Sequence, residues 1–309
     1  MLNSLKQHII RYLARLNTGM RQQVSPQQDL SAAALSRGNP LVNIALFIVT
    51  FISTTFVGAT TNETIAGLFL SGLSYSITLM LILLVHEFGH FFAARRFGVV
   101  STLPYFIPFP SLIGTMGAVI KTKSPIPHRR ALFYIGVMGP LPGFIISLAA
   151  ISIGVYLSDI KPLPAQANGD MFVLGDSLLI SLIIKITHGT IPSGYDIFLS
   201  PYAKAGWFGF LITSLNLMPI GQLDGSHILY ALVGRKQLLF GWVSLIGLIV
   251  LSFIWTGWII WIIMTLAFLM VAHPEIPEGD SLSLPEQIIG WACMLILVLT
   301  FVPMPIDIM

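Results

Sequence analysis

Three side chains near one another in the sequence could hold and use a metal ion. In His86-Glu87-Phe88-Gly89-His90 the spacing is H-E-x-x-H, the pattern of zinc hydrolases. On a helix, residues i and i+4 lie on one face a turn apart, so both imidazoles reach the same ion. Glu87 lies roughly 100° round the helix from His86, close enough to act as a base without ligating the metal. The surroundings are almost wholly apolar: Leu81-Ile82-Leu83-Leu84-Val85 precede the motif and Phe91-Phe92 follow it. Ionisable groups in such a stretch are costly, so they mark a functional site.

Two ligands do not complete a catalytic zinc site, which generally takes three protein ligands and keeps one position open. The residues just after His90 offer only Arg95 and Arg96. The lone cysteine, Cys293, excludes a cysteine-based site and an internal disulfide framework. The remaining candidate is Asp224, in an otherwise apolar helical region just after a break at Pro219 and Gly221. The competing reading pairs Asp224 with Arg235, Lys236 or backbone.

The elements that must position these residues belong to a membrane protein. The chain has 309 residues, 55% hydrophobic and only 9% charged, with a mean hydropathy of +0.85. Soluble domains carry about 25% charged residues. Apolar runs are expected at 41–57, 65–92, 131–157, 202–217 continuing to 233, 238–253, 257–271 and 288–302. The second is long, so it calls for a break near Gly72 or a tilted helix. Residues 101–130, broken by prolines and glycines, read as a loop with a hairpin or re-entrant element around Ala118-Val119-Ile120. The piece 178–186 is too short to span. The fold expected is an all-α polytopic membrane protein of six to seven transmembrane helices with a small membrane-embedded β-hairpin.

Residues 1–40 differ in kind. Leu2, Leu5, Ile9, Leu13 and Leu16 recur at helical spacing among Lys6, Arg11 and Arg15, as in a basic amphipathic helix on a membrane surface. The division expected is a basic segment at 1–40 and a membrane domain at 41–309, with its core at 65–235 and accessory helices at 237–305. The basic clusters, at the N-terminus, Arg95-Arg96, Lys121 to Arg130 and Arg235-Lys236, fall on one side if the spans alternate. By the positive-inside rule that side is cytoplasmic. A bacterial inner membrane is the expected location. An Arg-rich, acid-poor start also fits an organellar transit peptide, which keeps an organellar membrane open.

His86-Glu87-Phe88-Gly89-His90 with Asn216-Leu217-Met218-Pro219 and Leu223-Asp224-Gly225 resembles the site-2 protease family of intramembrane zinc metalloproteases, peptidase family M50. Gly114-Thr115-Met116-Gly117-Ala118 and Met138-Gly139-Pro140 resemble further signatures of that family, over residues 65–235. The resemblance implies a Zn²⁺ site of His86, His90 and Asp224, with Glu87 as general base and Asn216 as a polar group that orients the substrate or stabilises the developing charge. It implies transmembrane protein substrates within membrane lipid, and a hairpin edge that an unwound substrate could join. The loop at Leu174-Gly175-Asp176-Ser177 looks like that of members lacking a PDZ insertion. Nothing points to nucleic acid, and the oligomeric state is not specified. Two positions depart from the family pattern: Gly221 stands for a second proline and Ser226 for a second glycine, so a more mobile segment is expected there. The readings from other classes are a metal transporter using the same three ligands and an inactive scaffold or chaperone.

Overall fold

A computed structural model describes residues 39–59, 64–163, 172–270, 276–277 and 281–308. The amphipathic segment expected within 1–40, and the acidic connector at Glu275, Glu278 and Asp280, lie outside the described residues. The chain runs α1 (Pro40–Gly58), α2 (Ile65–Arg96), β1 (Tyr105–Pro108), β2 (Thr115–Val119), α3 (Arg129–Val137) and α4 (Pro140–Tyr156). It continues through β3 (Asp159–Pro162), β4 (Phe172–Leu174), α5 (Leu178–His188), β5 (Tyr195–Phe198) and α6 (Pro201–Leu217). The last third holds α7 (Asp224–Val233), α8 (Gln237–Ser252), α9 (Trp258–Met270), α10 (Leu284–Thr300) and β6 (Ile306–Ile308).

The protein is mostly helical. Among the described residues, four helical stretches are long and apolar enough to cross a membrane: Pro40–Gly58, Ile65–Arg96, Arg129–Tyr156 and Asp224–Ser252. That is fewer than the six or seven expected, because several apolar runs are cut short. Leu178–His188, Trp258–Leu269 and Leu284–Thr300 have 10–17 residues, whereas a straight span takes about 20. Of the two alternatives for the second run, a break near Gly72 or one long helix, the chain takes the long helix. α2 is one continuous helix of 32 residues, started by the Thr64 side chain accepting from Gly67 N–H and ended by Arg95 and Arg96.

Helices α2, α4 and α6 pack on one another, and α1 packs on α2. Their shared core includes Tyr75, Leu79, Ile151, Trp207 and Phe210, each 0–1% exposed. Fixing several such large side chains in one cluster, at about 1.5–3 kcal/mol each, sets the helix positions to the precision a metal site needs. The outer faces are apolar too: Leu41 is 72% exposed and Ile65 79%. In water such a surface would aggregate; in lipid it is solvated.

Strands form three antiparallel two-stranded ribbons, β1–β2, β3–β5 and β4–β6. The last two fall in segments that read from sequence as a mixed polar loop and a chain terminus, so a purely α description is incomplete. The β1–β2 ribbon is held from both neighbouring helices. Asn43 Nδ2 on α1 donates to the carbonyls of Leu103 and Pro104 at 3.1 and 2.8 Å, and Tyr75 Oη on α2 donates to Ile113 O at 3.0 Å.

Candidate active site

The site residues come from two kinds of element, a continuous helix and a helix break. α2 supplies His86, Glu87 and His90 in its last third, where they are only 3–6% exposed. The third carboxylate comes from a break. Pro219 has no N–H and forces Met218 out of the helical region, to φ −59° and ψ 134°, so α6 stops at Leu217. Gly221 then turns the chain at φ +56°, and α7 begins at Asp224. The return is tight: a Cβ on Gly225 would lie 1.8 Å from Leu217 O.

This route brings the three expected ligands together. His86 Nε2 and His90 Nε2 are 3.1 Å apart, and Asp224 Oδ2 is 3.4 Å from the first and 3.3 Å from the second. The three atoms make a nearly equilateral triangle. Ligands bonded at about 2.0–2.1 Å to one tetrahedral zinc ion stand roughly 3.3 Å apart, so the donor set and its spacing both fit that ion. The alternative pairing of Asp224 with Arg235 or Lys236 does not fit this arrangement. Among the described residues, this is the one group of three or more His, Cys, Asp or Glu side chains so placed.

Surrounding groups fix the triangle. His90 Nδ1 lies 2.7 Å from the carbonyl of Ile135 on α3. As a donor to that carbonyl it leaves the Nε2 lone pair free for a metal. Met138-Gly139-Pro140 joins α3 to α4, and a Cβ on Gly139 would stand 2.0 Å from His90 Nε2. The glycine here is the floor of the site. α3 in turn packs on α7, and Arg129 Nε donates to Ala231 O at 2.6 Å near the α7 C-terminus, a favourable place for a cation.

The other two expected residues flank the triangle. Asn216, in the last turn of α6, places Nδ2 3.3 Å from His86 Nε2. The Glu87 carboxylate lies against the backbone amide of Ile120, immediately after β2. The base and the ribbon therefore meet at one spot. Two other histidines are engaged elsewhere: His128 Nδ1 caps α3 by accepting from Ala131 N–H at 3.1 Å, and His188 Nε2 is 2.8 Å from Val155 O.

Sequence reasoning did not identify the Ile135 carbonyl, because a backbone group leaves no mark on residue type. Met138-Gly139-Pro140 stands out in the sequence as a family-like signature, but residue type alone does not show that Gly139 abuts a ligand.

A model of peptidase family M50 matches residues 74–254, more than half of the chain and all five residues of the site. The chain belongs to peptidase family M50. It is 30% identical over 224 residues to the probable zinc metalloprotease EGY2, chloroplastic, of Arabidopsis thaliana, a match covering 70% of this chain and 38% of that protein. It is 34% identical over 194 residues to the probable zinc metalloprotease EGY1, chloroplastic, of Oryza sativa subsp. japonica, covering 59% and 32%. The chain thus spans about a third of the length of these curated relatives. No solved structure matches it.

Proposed function

We propose that this M50 chain is an intramembrane zinc metalloprotease that hydrolyses peptide bonds in or near transmembrane segments of other proteins. The observation that carries the reading is the 3.1–3.4 Å triangle of His86, His90 and Asp224 with Glu87 on the same helix. The printed names of the relatives, probable zinc metalloproteases, support it.

In this reading His86 Nε2, His90 Nε2 and an Asp224 carboxylate oxygen hold zinc. Zinc there supplies a Lewis acid that polarises a carbonyl and lowers the pKa of water to about 7. Glu87 takes the proton of the attacking water and passes it to the leaving amine. The Asn216 amide, beside His86, donates to the oxygen on which charge develops. Among the described residues β2 has a partner only on its β1 side, and its other edge ends beside Glu87. An extended substrate segment joining that edge would present its backbone to the base. A substrate helix must unwind first, since its amides are otherwise bonded internally.

The same reading puts the chain in a multi-pass membrane setting, with the ends bearing Arg95, Arg96, Arg129, Arg130, Arg235 and Lys236 on the cytoplasmic side. A bacterial inner membrane remains our assignment, with an organellar membrane as the setting named for the plant relatives.

Glu87→Gln tests the reading. Purified protein should keep one zinc per chain and lose cleavage of a single-span reporter that the wild type cuts. If wild type and variant give the same fragments, or the wild type holds no zinc, the proposal fails.

A further inference from the structure

A cavity lies away from the metal site. About 980 Å³ in volume, it lies at the far end of α6, lined by Lys204, whereas Asn216 sits in the last turn of that helix. Twelve residues of helix place these two about 18 Å apart along the axis. The floor is apolar, made by Ile180 and Ile184 of α5 and by Trp207 and Phe208 of α6. β4 and β5 form walls, and among the described residues each has one ribbon partner.

Two features indicate what this space takes. Lys204 is half-buried, and its ammonium has no hydrogen-bond or ion-pair partner among the described residues. The two carboxylates of the lining are each engaged locally: Asp196 accepts from the Ile197 amide at 2.7 Å, and Asp176 from the Ser181 side chain. An unpaired, half-desolvated cation above an apolar floor is complementary to an acidic group carried on an apolar chain. The second feature is α5. Its Leu178, Leu182 and Ile186 are 63%, 51% and 76% exposed on one face, while Ile180 and Ile184, at 1% and 8%, face inward. α5 therefore stands between the cavity and any surrounding lipid, which favours a peptide over an acyl chain.

We infer that this cavity is a second substrate-docking site. It takes an extended, apolar peptide segment bearing an acidic side chain, located on the flank of the substrate's transmembrane segment. The inference rests on the protease reading above and adds to it a means of choosing substrates. The acid pairs with Lys204, apolar side chains settle against Trp207 and Phe208, and the tethered transmembrane segment is held along α6 toward Asn216. Tethering of this kind raises the local concentration of the scissile segment without touching the chemistry.

The test uses the full chain in nanodiscs, carrying Glu87→Gln so that nothing is cleaved. The probe is a labelled seven-residue peptide alternating valine and threonine with one central glutamate, beside its glutamine counterpart. The glutamate peptide should bind about tenfold tighter, the scale of one charge-assisted hydrogen bond. Lys204→Met should erase that preference. Ser181→Trp, which fills the cavity from an exposed position, should abolish binding of both peptides. Equal binding of the two peptides to the parent protein, or unchanged binding in Ser181→Trp, overturns the inference. So does photocrosslinking from position 181 that captures lipid in place of peptide. In the cleavage-competent chain, Ser181→Trp should raise KM for a reporter with the acidic flank and leave a flankless reporter unchanged. Peptide binding without any Glu87-dependent cleavage would sink the protease reading and spare the site.

Discussion

The two halves of the metal site are built by opposite means. His86, Glu87 and His90 sit on α2, an unbroken helix of 32 residues whose regular geometry alone aligns them. Asp224 and Asn216 sit on either side of a break, where α6 ends at Leu217 and α7 starts at Asp224. On α2, placement follows from the helical repeat. At the break it follows from close backbone approaches and a few particular hydrogen bonds. A metal site across both needs a joint, and α3 with the Met138-Gly139-Pro140 turn is that joint. It touches His90 through Ile135 O and Gly139, and it packs on α7.

Substitutions can break this division or sharpen it. The largest effect belongs to the ligands themselves. Asp224→Ala should remove zinc and cleavage as completely as His90→Ala, despite its place on the less regular half; metal analysis of the purified variants decides. A variant of Asp224 that kept a full zinc complement would show that the α2 pair suffices.

Gly139→Ala comes next. Its Cβ would stand 2.0 Å from His90 Nε2, so the imidazole must move. Zinc affinity should fall about 10–100-fold, as for lost outer contacts to a metal ligand, measured by competition with a chelator. Unchanged affinity would mean the joint does not set the ligand position.

Asn216→Ala should leave zinc in place and lower kcat by roughly 100-fold, in the range for loss of one donor to a developing charge. An effect on zinc content instead would make Asn216 a support for His86.

Ser226→Ala is the smallest. Ser226 Oγ donates to Gly221 O at 2.7 Å, so the two positions that depart from the family pattern are bonded to each other. Loss of that bond should cost about 1 kcal/mol, seen as a small fall in Tm with zinc retained. Gly221→Pro should cost more, because proline cannot adopt φ +56°. If it is tolerated, the turn is rebuilt rather than fixed.

The same contrast explains what could be read from sequence. The α2 half was legible because i, i+4 spacing on an apolar helix is a local pattern. Asp224 was legible as an isolated carboxylate in an apolar region, but its distance to the histidines was not, since that depends on α3 and the return at Gly225. The β3–β5 and β4–β6 ribbons were not legible. Their strands have three or four residues and pair across intervening helices, which leaves no alternation long enough to recognise. The hydrogen bond that joins Ser226 to Gly221 is likewise not legible from residue type.

One ion pair carries a consequence for how the protein is made. Arg130 Nε on α3 donates to Glu286 Oε1 at 2.6 Å, and Glu286 Oε2 also accepts from Ser283 N and Oγ at 2.7 and 2.8 Å. The two partners are 156 residues apart. All three proposed metal ligands are synthesised before Glu286, yet the helix that orients His90 gains this anchor only when α10 arrives. Maturation of the site is thus tied to the synthesis of α10, so a chain interrupted before it would hold every candidate ligand and still lack a finished mount for one of them.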